Sequence, residues 1–302
     1  MTNTDLSNYI ANRFNDVVVS GHAIAVRLRR EVVGATPQQI RNAFEGVSRL
    51  NPGHYSGSLE YVELDGVKCG VVKFKERKGP KVLWIHGGGF SFGSARVYKA
   101  TAIYLARYYE CEVILPDYRL APENKYPAPF DDCLSVYKNL ISGGENVDVI
   151  GDSAGGNIAA ALVQTCIKSG IQPPRKLALL SPWLDLSMES VSILKNNSDY
   201  SPFDKLDALS FSTDYIGDVC AEDPLVSPLR GSFKGFPKTH IQASKDEFLF
   251  DDAQLCSEQL KDEGVEYTTH YEEKAIHGWH LVPDFLPEAS RSMDKVVEFL
   301  KG

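Results

Sequence analysis

The chain has 302 residues, of which 43% are hydrophobic and 24% are charged, a composition typical of a folded globular protein. Its formal net charge of −8 argues against a broad nucleic-acid-binding surface, so we expect no nucleic-acid partner. No run approaches the roughly 18 apolar residues that span a membrane, and no basic segment followed by an apolar run opens the chain, so we expect neither a membrane span nor a secretory signal.

The predicted elements follow an α/β pattern, because short apolar runs alternate with longer amphipathic segments from about residue 59 onward. The first two runs flank Asp65-Gly66, a dipeptide that favours a tight hairpin turn. The next three runs, 81–86, 113–116 and 147–151, are short and closed by Gly or Pro, which predicts buried parallel strands, and three later runs continue the series. The predicted strands are 59–64, 67–74, 81–86, 113–116, 147–151, 176–180, 239–243 and 267–271.

The intervening segments predict helices that flank a mostly parallel central sheet. Two further segments, about 1–50 and 183–235, lie before the sheet and between two of its strands. An excursion of this length usually covers the active-site end of a sheet and shapes a binding pocket. We therefore expect one domain, 1–302, with two helical cap elements. The predicted helices are 96–109, 128–141, 154–168, 204–217, 251–263 and 287–301.

Residues 151–155 read Gly-Asp-Ser-Ala-Gly, a match to G-x-S-x-G that follows one predicted strand and precedes a predicted helix. This strand–turn–helix setting lifts the serine side chain clear of the sheet. The start of a helix also favours negative charge. Ser153 is therefore the candidate nucleophile, and the alternative is a serine that merely caps the helix.

Residues 86–90 read His-Gly-Gly-Gly-Phe, directly after a predicted strand. Glycines at a strand end allow backbone N–H groups to turn into a cavity, where they stabilise the oxyanion of a tetrahedral intermediate. We predict that Gly88, Gly89 and Ala154 supply these donors. The alternative, a phosphate-binding loop, lacks the G-x-G-x-x-G or G-K-[ST] spacing. His86 is expected to hydrogen-bond this loop and not to serve as the base.

In this arrangement the base follows the nucleophile and the acid along the chain. His277 comes after a late predicted strand, is followed by Gly278, and is the predicted base, with His280 as the alternative. The acid is expected in the turn after strand 239–243, where Asp246 is the first choice and Glu247 the second. Its carboxylate would accept a hydrogen bond from the imidazole and fix its tautomer.

Taken together, HGGGF at 86–90, DYRLAPE at 117–123, GDSAGGN at 151–157 and HGW at 277–279 resemble the hormone-sensitive-lipase-like family of serine esterases. The resemblance implies an α/β-hydrolase fold with a helical cap, and neither a metal nor an organic cofactor. It also implies carboxylesterase activity on short-to-medium acyl esters, with Asp117 and Arg119 as structural residues. The sequence departs from the family near the acid, since KDEFLFD stands where many relatives have Asp-Pro-Leu.

Three other functions remain open at this point. The same triad could act on amides or lactones, the chain could be a small-molecule receptor on a hydrolase scaffold, or it could be a lipase working at an oil–water interface. In each enzymatic case the partner is a small-molecule substrate. Strand 267–271 is a late edge strand that could pair in a homodimer.

The six cysteines are widely spaced, without a CxxC pair or the spacing of zinc ligands. A disulfide framework is therefore not expected. We predict buried free thiols and a reducing, cytoplasmic compartment.

Overall fold

An eight-stranded sheet forms the centre of the described part of the chain. The computed structural model describes residues 37–48, 57–74, 79–190, 192, 205–284 and 286–302. The strand order is β1-β2-β4-β3-β5-β6-β7-β8; β2 pairs antiparallel with β1 and β4, and every other neighbouring pair is parallel. The strands are β1 Glu60–Leu64, β2 Val67–Lys73, β3 Lys81–Ile85, β4 Glu112–Pro116, β5 Val147–Asp152, β6 Lys176–Leu180, β7 Lys238–Ser244 and β8 Tyr267–Glu272.

Seven α-helices lie in the described ranges, and none of them is long and apolar enough to cross a membrane. They are α1 Pro37–Ser48, α2 Ala95–Tyr109, α3 Ala128–Ile141, α4 Ala154–Lys168, α5 Lys205–Ile216, α6 Phe250–Asp262 and α7 Pro287–Lys301. The eight predicted strands and six predicted helices are confirmed, and their ends agree with the prediction within one residue. Helix α1 was not predicted.

The hydrophobic core has two layers, one on each face of the sheet. Alternate residues of a strand point to opposite faces, so Leu83 belongs to one layer and Trp84 to the other. Helices α3, α4 and α6 contribute to the layer with Leu83, and α2 and α7 to the layer with Trp84. The central strand β5 is buried over its whole length, as expected for a parallel strand covered on both faces.

The predicted hairpin is confirmed. β1 and β2 are antiparallel and joined by Asp65 and Gly66, which have φ values of 49° and 81°. Positive φ at both central residues is the conformation that an Asp-Gly turn favours. The hairpin forms one end of the sheet, and β8 forms the other.

The segments predicted as caps are described only in part. Within about 1–50 the structure describes 37–48, and the rest of that segment lies outside the described residues. Within 183–235 it describes 183–190, 192 and 205–235, which include α5 and a 3₁₀ turn at Pro228–Arg230.

All six cysteines are free, and five of them are buried. Cys220 is exposed, so the prediction of a buried thiol is wrong at that position. Its sulfur lies 2.8 Å from Oε2 of Glu222 in the turn that follows α5. A short turn between elements lies at the surface because its backbone polar groups need water, which accounts for the exposure.

Candidate active site

Ser153 lies at the sharp turn between β5 and α4, where its backbone adopts φ 52° and ψ −122°. A non-glycine residue with positive φ is strained and persists only where its surroundings hold it. Its N–H donates to the carbonyl of Leu180 at 3.0 Å, and its carbonyl accepts from Trp183 N–H at 3.0 Å. These bonds to the chain just beyond β6 fix the turn and hold the serine above the carboxyl end of β5.

Gly155 allows α4 to begin directly against the end of β3. A Cβ atom at this position would overlap the carbonyl oxygen of Ile85 and the backbone of His86. The close approach brings the start of α4 next to the glycine loop that follows β3. A Cβ on Gly87 would likewise meet the Ser153 side chain at 3.1 Å. Gly155 and Gly87 thus allow the serine and this loop to lie close together.

His277 lies between Ser153 and a carboxylate. Its Nε2 is 3.0 Å from Ser153 Oγ, and its Nδ1 is 2.5 Å from Oε2 of Glu247. The imidazole is 3% exposed, Glu247 is fully buried, and Ser153 is half-buried. The predicted serine and histidine therefore meet, although 124 positions separate them in the sequence.

The carboxylate beside this imidazole belongs to Glu247, so the prediction of Asp246 is wrong on geometry. In the turn after β7, the Glu247 N–H reaches back to the Ser244 carbonyl at 3.3 Å, which turns its side chain inward. Asp246 projects the other way, and its Oδ2 accepts from the Lys274 N–H at 2.8 Å. Asp246 thus braces the segment leading to His277, while the longer Glu247 side chain reaches the ring.

The second oxygen of Glu247 is also held. Its Oε1 accepts from Ser181 Oγ at 2.7 Å and from the Ser244 N–H at 2.8 Å. Hydrogen bonds from several donors stabilise an ionised carboxylate in a buried site. A fixed carboxylate in turn fixes which imidazole nitrogen carries the proton, leaving Nε2 facing the serine as an acceptor. Ser181, which lies just beyond β6 with φ 46°, belongs to none of the motifs and was not predicted.

The glycine loop after β3 has the conformation expected of an anion site. Gly88 has φ 115° and Gly89 has φ 54°, and a Cβ on Gly88 would overlap the Phe92 carbonyl. The Gly88 carbonyl accepts from the N–H groups of Ser91 and Phe92, both at 3.0 Å. This turn leaves the N–H groups of Gly88 and Gly89 without a backbone acceptor within the described residues. Ala154 is the first residue of α4, a position whose N–H has no partner inside the helix.

His86 supports the loop and is not placed to be the base. It is fully buried, its ring stacks on Tyr118 with centroids 4.2 Å apart, and its Nδ1 is 2.8 Å from the Gly87 carbonyl oxygen. Burial lowers the pKa of His86, which favours the neutral ring. The prediction that His86 bonds the loop backbone is confirmed.

The DYRLAPE segment holds the loop from behind. Asp117 accepts from the Ala95 N–H at 2.7 Å at the start of α2, and the Ala121 N–H donates to the Phe90 carbonyl at 2.9 Å. Arg41 of α1 donates to the carbonyls of Ser91 and Ala121, at 2.8 and 2.9 Å. Arg119 pairs with Asp132 of α3 at 2.7 Å. Ala121 therefore joins the segment to the backbone of the loop, while Asp117 and Arg119 anchor it to α2 and α3, which agrees with the structural role that the resemblance implied.

Aromatic side chains from two elements outside the sheet pack around the glycine loop. A Cβ on Gly89 would lie 2.8 Å from the Phe211 ring of α5. Phe211 packs edge-on against Phe92 at a centroid distance of 5.6 Å, and Phe92 packs against Phe44 of α1 at 4.9 Å. The three rings form an aromatic wall, Phe44–Phe92–Phe211, beside the loop.

A serine bonded to a histidine, which is bonded in turn to a carboxylate, forms an activated nucleophile. Backbone N–H donors beside the serine can stabilise an oxyanion formed at the attacked carbonyl carbon. The described residues contain no group of three or more His, Cys, Asp or Glu placed to hold a metal ion. The serine, the histidine, the carboxylate and the backbone N–H groups together have the arrangement that acyl transfer requires.

Comparisons with known proteins agree with this geometry. A family model described as the α/β-hydrolase fold matches residues 82–281. An esterase of Acinetobacter venetianus is 29% identical over 268 residues, which cover 87% of this chain and 88% of the relative. An acetyl-hydrolase of Streptomyces hygroscopicus is 28% identical over 233 residues, covering 76% and 78% of the two chains.

A solved structure of the same kind superposes over nearly the whole chain. It is the crystal structure of an esterase from the bacterial hormone-sensitive lipase family, with a TM-score of 0.86 and 28% sequence identity. The match covers 93% of this chain and 96% of the other. At this identity and coverage, the neighbour shares more than the general fold class.

Proposed function

The chain belongs to the α/β-hydrolase family, in its hormone-sensitive-lipase-like branch, and we propose that Ser153, His277 and Glu247 carry out its hydrolysis of carboxylic esters. The observation that carries this proposal is the continuous set of contacts from Ser153 Oγ to His277 and on to Glu247. Ester hydrolysis itself agrees with the named activities of the relatives.

In the first half of the reaction, Ser153 Oγ attacks the ester carbonyl carbon while its proton passes to His277 Nε2. The carbonyl π electrons move to oxygen, and the N–H groups of Gly88, Gly89 and Ala154 donate to that oxyanion. The tetrahedral intermediate then collapses, the bond from carbon to the alkoxy oxygen breaks, and His277 protonates the leaving alcohol. The product of this half is an acyl-Ser153 ester.

In the second half, a water molecule takes the place of the alcohol. His277 accepts a proton from the water as its oxygen attacks the acyl carbon, and the oxyanion site is used again. The bond from carbon to Ser153 Oγ breaks, and the proton on His277 returns to the serine. Throughout, Glu247 accepts a hydrogen bond from Nδ1 and stabilises the imidazolium form of the ring.

We also propose that short-to-medium acyl esters are preferred, and that α1 and α5 belong to a cap on a single domain. The support is the Phe44–Phe92–Phe211 wall, which brings bulky rings from both helices beside the oxyanion loop. Amides and lactones are the competing substrates, since the triad chemistry is the same for all three classes. The relative rates for matched butyryl esters, butyramides and γ-lactones would rank them.

The cellular setting belongs to the same proposal. Six free thiols fit a reducing, cytoplasmic compartment. The outer edge of β8 offers unpaired backbone groups for strand pairing in a homodimer. Light scattering after gel filtration would measure the mass in solution and decide between monomer and dimer.

The test of the proposed nucleophile is the Ser153→Ala variant, assayed with p-nitrophenyl butyrate. We expect a fall in kcat of about 10⁵-fold, because no other hydroxyl takes over the attack. The control is Ser169→Ala, at the exposed C-terminal cap of α4. It should keep the wild-type rate. Wild-type turnover in Ser153→Ala would remove this serine from the mechanism.

A further inference from the structure

Asp152, the residue before the proposed nucleophile, directs a buried carboxylate toward the oxyanion loop. The residue is 3% exposed. Its Oδ1 accepts from Trp84 Nε1 at 3.0 Å and from the Gly87 N–H at 3.2 Å. Its Oδ2 accepts from the Tyr98 hydroxyl at 2.5 Å, and the same hydroxyl accepts from the Gly87 N–H at 2.8 Å. The carboxylate therefore fixes Gly87, the residue just before the proposed donors.

His280 approaches the same carboxylate from the loop that carries the proposed base. It is 1% exposed and lies in the 3₁₀ turn Trp279–Leu281, three residues after His277. Its Nε2 is 3.7 Å from Asp152 Oδ2, which is an ion-pair distance and longer than a hydrogen bond. Neither ring nitrogen has a hydrogen-bond partner among the described residues. A buried imidazole without such a partner is costly, so the nearby negative charge accounts for its position.

The Asp152 carboxylate has one basic neighbour among the described residues. Within the described part of the chain, His280 is the one His, Lys or Arg with a nitrogen within 4 Å of this carboxylate. The other titratable groups that face it are His86 and the phenols of Tyr98 and Tyr118. Burial alone would raise the pKa of Asp152. His280, Tyr98 and Trp84 outweigh burial and hold that pKa below its ordinary value.

We propose that Asp152 and His280 form a buried pair that positions the oxyanion loop and links it to the loop of the base. The imidazole of His280 lies beside the carboxylate, and Asp152 transmits the restraint to Gly87 directly and through the Tyr98 hydroxyl. Both are positioning residues, because they contact the two loops and are not proposed to contact the substrate.

The pair acts on the transition state more than on substrate binding. A donor aimed at the oxyanion stabilises the tetrahedral intermediate and contributes little to the ground-state ester. Loosening Gly87 would displace the neighbouring N–H groups of Gly88 and Gly89. We therefore expect a loss in kcat with little change in KM, in parallel with weaker binding of a tetrahedral anionic analogue.

The experiment compares His280→Gln, Asp152→Asn and the double variant with wild type, using p-nitrophenyl butyrate and a butyl boronic acid. Active sites are titrated with a fluorophosphonate so that kcat refers to folded enzyme. We expect His280→Gln to lower kcat about tenfold with KM within about twofold, and to weaken boronate binding by a similar factor. In the Asp152→Asn background the same substitution should change kcat by less than about twofold, since the pair is already broken.

The matched control is His240→Gln, which replaces another buried histidine, packed against Phe299 of α7. It should leave kcat and boronate binding unchanged. If His280→Gln alone does not fold, the double variant lacks the buried charge that required compensation. It should then fold, with a melting temperature close to that of Asp152→Asn, and failure of the double variant to fold while Asp152→Asn folds would overturn the pairing. Wild-type kcat and boronate affinity in folded His280→Gln, or additive effects in the cycle, would overturn the pairing.

The inference rests on the proposed function, but the two fail in different ways. If the proposed function is wrong, wild-type protein neither turns over the ester nor reacts with the fluorophosphonate at Ser153. If only the pairing is wrong, wild type shows both properties and His280→Gln matches it.

Discussion

Asp246 and Glu247 are adjacent acidic residues whose carboxylates do different work. Glu247 is fully buried, with one oxygen on the His277 ring and the other on Ser181 and Ser244. Asp246 is half-buried and braces the backbone at Lys274. The different roles of the two residues can be tested, because each side chain can be neutralised separately with a nearly isosteric amide.

Glu247→Gln should lower kcat for p-nitrophenyl butyrate by about 10³–10⁴-fold. The amide can present an N–H to Nδ1 and so favour the wrong imidazole tautomer, and it no longer stabilises the imidazolium. Asp246→Asn should keep kcat within about threefold, since an amide oxygen still accepts from the Lys274 N–H. Steady-state kinetics on active-site-titrated enzyme measures both. Equal losses in the two variants would contradict the assignment of Glu247.

At the residue scale, the motifs predicted what local sequence can specify. Ser153 and the donors at Gly88, Gly89 and Ala154 lie in short patterns whose function depends on adjacent residues. His277 followed from chain order. The acid did not, because the choice between two neighbouring carboxylates depends on the path of the turn after β7. One departure, DEFL in place of Asp-Pro-Leu, marked the position where the family pattern no longer identified the residue.

At the scale of elements, periodicity predicted the sheet better than the segments around it. Strands β3 to β6 are short, mostly apolar runs, and each predicted strand is found at its expected place along the chain. Helix α1 was missed although its sequence contains the signal. Pro37 suits a first helical position, and apolar residues recur at helical spacing up to Phe44. The order of strands in the sheet depends on long-range pairing, which no local pattern encodes.

The Phe211 ring of helix α5 lies against Gly89 of the oxyanion loop. Phe211→Ala removes a large ring from the aromatic wall, so we expect the preferred acyl chain to lengthen. The ratio of kcat/KM for octanoyl over butyryl p-nitrophenyl esters should rise by about tenfold, the effect of a few methylenes in an apolar site.

The matched control on the same helix is Leu209→Ala. The Leu209 side chain is 48% exposed, in contrast to 4% for Phe211. The control should leave the octanoyl-to-butyryl ratio unchanged. An unchanged ratio in Phe211→Ala would show that this ring does not limit the acyl chain.

At the scale of the whole molecule, a buried histidine makes stability depend on pH. Burial is the main reason that the pKa of His240 falls from its ordinary value of 6.5 to about 4. Between about pH 4 and pH 6.5 the His240 imidazole is protonated in the unfolded chain and neutral in the folded chain. Stability is therefore lost as pH falls from about 6.5 through 4, by at most about 3 kcal/mol from this residue.

His240→Gln should flatten this acid loss while leaving activity at pH 7 intact. Urea unfolding at pH 4.5 and pH 7 gives the free energy of unfolding for both proteins. The control is Thr268→Val, which removes the hydroxyl 2.8 Å from His240 Nδ1 but keeps the imidazole. It should lower stability and retain the acid loss. An equal acid loss in His240→Gln and wild type would exclude His240 as its source.

The central claim is that Ser153 forms a covalent acyl intermediate with His277 as its base. The most direct measurement is peptide mass spectrometry after reaction with an alkyl fluorophosphonate, for wild type and for His277→Ala. The account predicts one adduct per wild-type chain, on the peptide that contains Ser153, and labelling slowed by at least about 100-fold in His277→Ala. An adduct on another residue, or equal labelling rates in the two proteins, would contradict it.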